Sequence, residues 1–412
     1  MSTLRAALSS GVLELATPDI AVACLSAQSL VPLSTQVGPG GVSASGRLRQ
    51  IEWLLAFGKR TDLSDQVRAH LPTALARLVQ GSPASWGLKG RVSRAWIEGL
   101  ADRSEATRSV QQSCALALGC VGGATDDPID RSIRSALLRA SRESRNFEVR
   151  RFALIALAQI GSRASDADVQ QKVASEIRES LIERLESGVG GVPAWAALSL
   201  GVLGRNPAKA AQEAEQRTDR LLVAALSQAR SPSDVGACAI ACGMRLQKEA
   251  TAALLHKLSE VRDDEARGYV TLALGMTGAV EALEPIERLI RRCKYRPELL
   301  RQAAISLGLL GDKDVVPDLI AMLVQASSLS AQASIAQGLG AIGDARSIDS
   351  LIEMLGDAET TPRARAFAAV ALGIVSDKES RPWNAKLSIG VNYRANTTTL
   401  TDGRGAGILE IL

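Results

Sequence analysis

The sequence predicts an all-α fold, a right-handed superhelix of stacked helix pairs, from a repeated phrase, its period and the composition. The phrase is a run of small and aliphatic residues that ends in Leu-Gly, followed in most copies by a second glycine three residues later. From Gly275 through Gly308 and Gly340 to Gly373, the steps are 33, 32 and 33 residues. A fixed period in this range is typical of solenoids, in which each repeat buries its apolar faces against its neighbours.

The composition agrees with helix packing and narrows the function classes. Hydrophobic residues make up 46% of the chain but aromatic residues only 3%, which favours helices packed through Ala, Leu and Ile. With 48 Lys and Arg against 44 Asp and Glu, the net charge of +4 does not by itself indicate a nucleic-acid or membrane protein. We see no signal peptide and no apolar run of about 18 residues, so we expect no membrane span and a cytoplasmic location.

Residues 312–343 show how one repeat is predicted to be built. Apolar spacing over 312–325 predicts a helix A, with Pro317 in its first turn, where a missing N–H is tolerated. Residues 327–330 are predicted to break and recap the chain, and helix B then runs to Gly340–Gly343. Glycine is expected there because the chain leaves the helix through a left-handed residue and the next helix packs closely. Reading backwards gives about seven such pairs.

The two ends of the chain differ from the repeats. Residues 1–102 lack the Leu-Gly phrase but keep helical periodicity, and we predict a diverged helical cap before a solenoid over 103–380. Residues 381–412 are predicted to form an extended cap. Alternating apolar residues between Leu387 and Tyr393, with a Gly-containing turn after them, indicate a small β-hairpin that covers the apolar face of the last repeat.

Three stretches resemble HEAT repeats, specifically the short HEAT-like type first described in phycobilisome lyase subunits. They read EVRRFALIALAQIG, RQAAISLGLLGDKDVVPDLIAML and QASIAQGLGAIGDARSIDSLIEML, and the resemblance extends over roughly 103–376. It implies a HEAT- or armadillo-type solenoid with a concave groove lined by B helices. It does not specify a function, because such repeats occur in scaffolds, coat proteins, lyases and nucleic-acid binders.

The residues that usually carry chemistry do not form a convincing cluster. The two histidines, His70 and His256, are far apart in the sequence, and none of the six cysteines belongs to a Cys-x-x-Cys pair. Cys238 and Cys242 are one helical turn apart but lack the second pair of ligands that a zinc site needs. We therefore predict no catalytic residues, no metal ligands and no cofactor, and we expect buried thiols.

A row of arginine and glutamine residues recurs near the start of the B helices. Arg150, Arg267 and Arg365 lie eight residues before the end of the Leu-Gly phrase, and Arg301 lies one position later. The HEAT resemblance implies that such an arginine pairs with an aspartate of the turn, Asp264 or Asp357 here, in a ladder between repeats. The alternative is a stripe that contacts a partner. Its candidate partner-binding residues are Arg150, Arg151, Arg267, Arg301, Gln332 and Arg365.

Two arginine-rich segments are predicted near the turns between helix A and helix B. A row of cations along one edge is what phosphate contacts need. Solvated helix ends are the alternative, because the helix dipole favours cations near a C-terminus. The candidate basic-edge residues are Arg131, Arg134, Arg139, Arg142, Arg145, Arg291, Arg292 and Lys294.

Three functions fit these observations. The leading hypothesis is a non-enzymatic scaffold that binds a protein partner in the concave groove. The alternatives are a nucleic-acid binder that uses the arginine-rich edge, including a HEAT-like base-excision glycosylase, and a bilin-lyase-like enzyme subunit. The sequence identifies neither the partner nor the oligomeric state.

Overall fold

The structure is a computed structural model of the 412-residue chain. The residues that it describes are 44–58, 65–80, 87–101, 108–165, 167–187, 192–204, 212–245, 248–293, 296–326 and 328–376. These residues form α-helices, short 3-10 turns and loops, and no strand occurs among them, which confirms an all-α class for the described part. The β-hairpin predicted within 381–412 and the predicted domain boundaries at 102 and 380 lie outside the described residues.

The helices alternate as nine A–B pairs over the described residues. The A helices are α1 Ala44–Phe57, α3 Leu88–Leu100, α5 Pro128–Glu143, α7 Asp168–Ser187, α9 Gln212–Gln228, α11 Thr251–Glu260, α13 Leu283–Arg292, α15 Val316–Gln325 and α17 Ile348–Gly356. The B helices are α2 Asp65–Val79, α4 Arg108–Val121, α6 Phe147–Ser162, α8 Val192–Leu203, α10 Pro232–Met244, α12 Asp264–Thr277, α14 Pro297–Leu310, α16 Leu329–Ile342 and α18 Pro362–Ser376. Eight B helices, from α4 to α18, carry the repeated phrase or a degenerate form of it, against the seven or so pairs predicted from the sequence.

The chain divides into two compact units, and the division falls between Ser199 and Leu200 inside α8. In the first unit, α2, α4 and α6 pack side by side in chain order. In the second unit, α10, α12, α14, α16 and α18 do the same, and each of their A helices packs on its own B helix. Each unit is therefore a stack in which contacts run between neighbouring repeats.

The repeat predicted over 312–343 has the expected parts. Pro317 lies at the N-terminus of α15, and the Ser328 hydroxyl caps α16 by accepting a hydrogen bond from the Ala331 N–H at 3.2 Å. Helix α16 ends at Gly343, whose φ of +68° is left-handed. The capping serine and the left-handed glycine thus fix where helix B begins and ends.

The two glycines of the phrase have different roles, which corrects the prediction that both lie at the helix end. Gly340 lies inside α16, where an added Cβ would lie 3.0 Å from the Cα of Ala371 on the next B helix. At Gly275 the same atom would lie 2.8 Å from the Cα of Ser306. The first glycine allows neighbouring B helices to approach, and the second, as at Gly343, supplies the left-handed exit.

Close packing buries almost the whole length of the B helices α6 and α10. In α6, every residue from Phe152 to Ala158 has zero exposure, and α10 is buried from Val235 to Met244. Side chains that remain accessible on these two helices are concentrated near their ends. This restricts which residues of the B helices a partner can contact.

Candidate binding surfaces

The recurrent Arg and Gln residues of the B helices hold the turns between helix A and helix B. The Nε atom of Arg150 donates a hydrogen bond to the Ser144 carbonyl, just after α5 ends. Gln332 donates to the Ala326 carbonyl at 3.1 Å. Arg365 donates through Nε to the Leu355 carbonyl at 3.0 Å. The last carbonyls of a helix lack a partner within the helix, and these side chains satisfy one such carbonyl in each of the three repeats.

Three of the candidate partner-binding residues do not hold a turn in this way. Arg301 pairs with Glu298 on its own helix at 2.9 Å, and Arg151 pairs with Glu148 at 3.1 Å. The Nε atom of Arg267 is buried and has no hydrogen-bond partner among the described residues. These three arginines are partly exposed.

The aspartates that the family resemblance paired with these arginines have other partners. Asp264 forms an ion pair at 2.9 Å with Arg296, which precedes the next B helix. Asp357 accepts hydrogen bonds from the Thr360 hydroxyl and the Glu359 N–H, and these contacts lower its pKa. The carboxylate of Asp264 therefore connects two repeats, but through a different arginine.

Helix α5 carries the first of the two basic segments, and its arginines have different environments. Arg131 and Arg139 are exposed and form no ion pair with any described residue. Arg142 pairs with Glu183 at 3.1 Å across an exposed surface. Arg145, just after the helix, is exposed as well.

Arg134, in the middle of this segment, is buried and has a structural role. It donates hydrogen bonds to the carbonyls of Gly123 and Thr125 at 2.7 and 2.8 Å. The neighbouring Asp130 is 2% exposed and accepts from Lys89, Thr125 and Gly123. Burial alone would raise the pKa of Asp130, but these hydrogen bonds outweigh burial and lower it.

The second basic segment lies in the second of the two compact units. Arg291 and Arg292 are exposed in the last turn of α13, and Arg291 pairs with Glu287 at 3.5 Å. Lys294 lies outside the described residues. Cations in the last turn interact favourably with the helix dipole, and this interaction alone explains why arginines occur at the end of α13.

A groove runs between the A helices α3 and α5. Its floor contains Ile97 and Leu100 from α3 and Ala136 and Ala140 from α5. The further lining residues described by the structure are Ala101, Arg139, Glu143 and Ser144. The groove is open to solvent and has a volume of about 220 Å³. A second open concavity on α5 is lined by Arg131, Arg134, Ser135, Leu138, Arg139, Arg142 and Glu143.

The residues with reactive side chains are isolated or buried. His256 is exposed on α11, and among the described residues no group of His, Cys, Asp and Glu has the arrangement of a metal site. Cys238 and Cys242 are buried in α10, and burial raises the pKa of both thiols, that of Cys238 to about 12. Burial also raises the pKa of Cys114 to about 12. A thiol needs to ionise to act as a nucleophile or metal ligand, so these cysteines are suited to packing.

We expect thiol reagents to distinguish Cys120 from the buried cysteines. In a C24S background at pH 8, Ellman's reagent should modify Cys120, which is partly exposed, first. Cys114, Cys238 and Cys242 should react only as fast as the helices open, because their thiols are both buried and protonated. Mass spectrometry of the labelled peptides gives the order, and rapid modification of Cys238 in the native protein would contradict the assigned burial.

Sequence reasoning missed a set of arginines that follow the B helices. Arg163, just after α6, donates to the Gly122 carbonyl of the preceding repeat at 2.8 Å. Arg346, after α16, donates to the Lys313 carbonyl at 2.7 Å. Arg245, just after α10, is 5% exposed at its side chain and pairs with Glu215 and Asp219. An arginine two to six residues after the Leu-Gly position was the available signal.

The Arg245 side chain also explains why glycine occurs at position 204, the second glycine of its phrase. A Cβ at Gly204 would overlap the Arg245 guanidinium, and the backbone of Gly204 is not left-handed. Glycine at this position therefore makes room for a side chain of the next repeat. At Gly278 and Gly311, with φ of +69° and +79°, the same place in the phrase serves the left-handed exit.

Paired helices, a fixed period and close contacts between successive B helices define an α-helical repeat protein. Residues 294–373 match the family model for HEAT repeats, so this part of the chain contains HEAT repeats, as the resemblance implied. Among the described residues, no helix is both long enough and apolar enough to cross a membrane. No curated protein sequence matches the chain.

Several solved structures resemble the chain at low sequence identity. One is an engineered protein, 19% identical, with a TM-score of 0.34, covering 92% of this chain and 100% of its own. A mutant of Kap121p is 16% identical with a TM-score of 0.43, and the match covers 93% of this chain and 43% of that one. The karyopherin Kap121p bound to the extreme C-terminus of the protein phosphatase Cdc14p is 17% identical, with a TM-score of 0.39 and coverages of 92% and 44%. This chain therefore spans less than half the length of the Kap121p chains.

Proposed function

We propose that this protein is a non-enzymatic scaffold that binds a segment of another protein. The observation that carries the proposal is the open groove between α3 and α5, with an apolar floor and charged residues at its rim. Small-molecule sites are usually enclosed cavities of roughly 300–1,000 Å³. A groove of about 220 Å³ that is open to solvent suits a polypeptide segment better than a small ligand.

The packing of the repeats supports this role. The A helices pack on B helices that lie very close to one another. At Gly119, for example, an added Cβ would lie only 2.7 Å from the Ala156 Cα of the next B helix. A surface on such a rigid base is organised before a partner arrives, which reduces the entropy cost of binding. The five described cysteines form no disulfide, which supports the cytoplasmic location expected from the sequence.

In the second unit, the row along the B helices is a second surface that we assign to the same partner class. Arg267 and Arg301 are partly exposed members of it, and Arg301 pairs with Glu298 of its own helix. Arg151, which belongs to the first unit, is a separate candidate of the same kind. The sequence predicted that the partner binds in a groove lined by B helices, and these arginines are the candidates to contact it. Truncation of any one of them is expected to weaken binding gradually unless it is a hot spot.

Nucleic-acid binding is the second candidate function. It is favoured by Arg131 and Arg139, which are exposed on α5 without an ion pair among the described residues. A nucleic-acid complex would lose affinity steeply as salt is raised, because phosphate contacts release counterions. No described residue specifically favours the bilin-lyase-like alternative, and we do not propose it.

Capture and reconstitution test the scaffold proposal. The immobilised full-length chain is incubated with native lysate, with and without nuclease, and retained proteins are identified by mass spectrometry. We expect the same few proteins in both samples, and we expect at least one, after separate purification, to form a complex measurable by calorimetry. Loss of all retained proteins after nuclease treatment, together with tight binding of a 20-base-pair duplex, would contradict the proposal in favour of the second candidate.

A further inference from the structure

We propose that the groove between α3 and α5 binds an acidic amphipathic segment of the partner. This inference rests on the proposed function and adds the chemistry of the partner and the place where it binds. Three observations carry it: the shape of the groove, the unpaired charge at its rim, and the use of Arg134 inside the fold.

The groove exists because the side chains between the two helices become small toward their C-terminal ends. Near the start of the helices, Ile129 fills the space against Gly90, where a Cβ would lie 3.1 Å from the Ile129 side chain. Further along the same face, Ala136 and Ala140 carry only methyl groups, and the space above them stays open. Ile97 then forms one side of a shallow apolar channel that would accept aliphatic side chains.

The rim of the channel and the adjacent surface are positively charged. Arg131 and Arg139 have no ion pair among the described residues, and Glu143 is the acidic residue that lines the channel. The exposed pair between Arg142 and Glu183 is worth less than about 1 kcal/mol, so Arg142 is readily available to another carboxylate. Unpaired arginines beside an apolar channel are complementary to carboxylates beside aliphatic side chains.

The spacing of these arginines matches a helical partner. Arg131 and Arg142 are eleven residues apart on one helix, which corresponds to about 16 Å or three turns. Arg131 and Arg142 line the neighbouring concavity, and Arg139 lines both that concavity and the channel. A partner helix along α5 would place its aliphatic residues in the channel and its carboxylates on the side that faces these arginines. The segment that we infer is therefore about 11 to 16 residues long.

The same features favour an acidic peptide over a nucleic acid. Arg134, which would continue the row, is buried and donates to the carbonyls of Gly123 and Thr125. Leu138 lies on the open surface between the remaining arginines. A phosphate backbone gains nothing from the apolar floor or from Leu138, whereas an amphipathic segment buries both.

The test is a selection from a displayed library of random 16-residue peptides against the immobilised full-length chain. We expect enriched sequences that combine Glu or Asp with Leu, Ile or Met at helical spacing. A synthetic peptide with the enriched sequence should bind the wild-type chain, and its affinity should fall as salt is raised. The R131E/R139E variant should bind it at least tenfold more weakly.

Two further variants separate the groove from general charge effects. A136L fills the floor of the groove without changing its charge, and it should also weaken binding of the peptide by at least tenfold. R288E reverses one exposed charge on α13, where Arg288 is paired with Glu284, and it should bind the peptide like the wild type. Circular dichroism of each variant checks that the helices are intact.

Several results would overturn the inference. These are enrichment of basic or uncharged peptides, equal binding by R131E/R139E or A136L, or displacement of the peptide by a 20-base-pair duplex. If a captured partner protein binds all the variants like the wild type, the groove assignment is wrong but the scaffold proposal stands. If the selected peptide binds the groove but no protein is captured or reconstituted, the scaffold proposal fails in its own test.

Discussion

Replacement of Gly275 by alanine is expected to destabilise the second unit by about 2 kcal/mol, whereas the same change at Gly373 is expected to stabilise it. Both glycines end a Leu-Gly phrase, and both lie within a B helix. They differ in what a methyl group would meet. At Gly275 it would overlap the Ser306 hydroxyl and lie 2.8 Å from the Ser306 Cα, and at Gly373 it would meet nothing within 4 Å.

The opposite signs follow from two competing effects. Alanine in a helix interior is favoured over glycine by up to about 1 kcal/mol, and at Gly373 this gain is realised. At Gly275 the gain is outweighed, because the new methyl group meets backbone atoms of α14 and the two B helices have to separate. Overpacking of a core costs about 1 to 3 kcal/mol, and the Ser306 hydroxyl, which donates to the Thr271 carbonyl, would lose its position.

Urea denaturation followed by circular dichroism measures the two changes, and hydrogen exchange locates them. G275A should increase exchange first in α12 and α14, because repeat arrays open locally. G373A should leave those helices unchanged and slow exchange in α18. Equal effects of the two substitutions would show that helix propensity, and not the distance between B helices, sets the role of the first glycine.

The repeat phrase made the fold predictable because it encodes two separate geometric requirements at fixed spacing. Close approach of B helices needs Gly340 opposite Ala371, and the left-handed exit needs Gly343. Both requirements are local or repeat with the period, so a single sequence reveals them. The assignment of both glycines to the helix end was wrong, because periodicity gives the position of a residue but not the atoms opposite it.

The binding surfaces were less predictable, because they depend on contacts between distant residues. Arg139 and Arg134 belong to the same arginine-rich segment, yet one lines an open groove and the other is buried against the Gly123 and Thr125 carbonyls. The groove itself depends on Ala136 lying opposite Ile97, and these residues are separated by 39 positions. Neither fact has a signature in local sequence spacing.

The buried partners of Arg245 were also not predictable from the sequence. They lead to the prediction with the largest expected effect on stability. Its guanidinium pairs with Glu215 and, through Nε at 2.5 Å, with Asp219, both on α9. The side chains of Arg245, Glu215 and Asp219 are 5%, 12% and 30% exposed. Removal of one partner from a buried ion pair is strongly destabilising, by about 3 to 5 kcal/mol, because the remaining charges stay buried and lose that partner. We expect a loss of this size for R245M.

An exposed arginine provides the matched control. Arg288 pairs with Glu284 on the surface of α13 at 3.3 Å, and R288M should change the free energy of unfolding by less than about 0.5 kcal/mol. Both substitutions remove a guanidinium and keep an unbranched apolar chain. A similar loss for R245M and R288M in urea denaturation would show that the buried cluster contributes no more than a surface pair.

Substitution of the two carboxylates distinguishes a loss caused by buried charge from a loss caused by poorer packing. If uncompensated charge causes the loss, neutralising both partners in E215Q/D219N/R245M should restore much of the stability, since buried polar groups without charge cost less. If lost packing of the Arg245 side chain causes it, the triple variant should stay as unstable as R245M. The Gly204 position, which makes room for the guanidinium, would then be left with an unfilled cavity in both variants.

The pH dependence of the stability of R245M provides an independent test of the buried-charge explanation. Burial raises the pKa of Asp219 in the folded protein, while Arg245 partly opposes that rise. Without Arg245 the folded pKa rises further above its unfolded value, so the folded state binds more protons than the unfolded state, and stability falls as pH rises. The deficit of R245M relative to R288M should therefore shrink as pH is lowered from 7 toward about 4, the range above the ordinary carboxyl pKa. A deficit that is constant over this range would place its origin in packing and not in the buried charge.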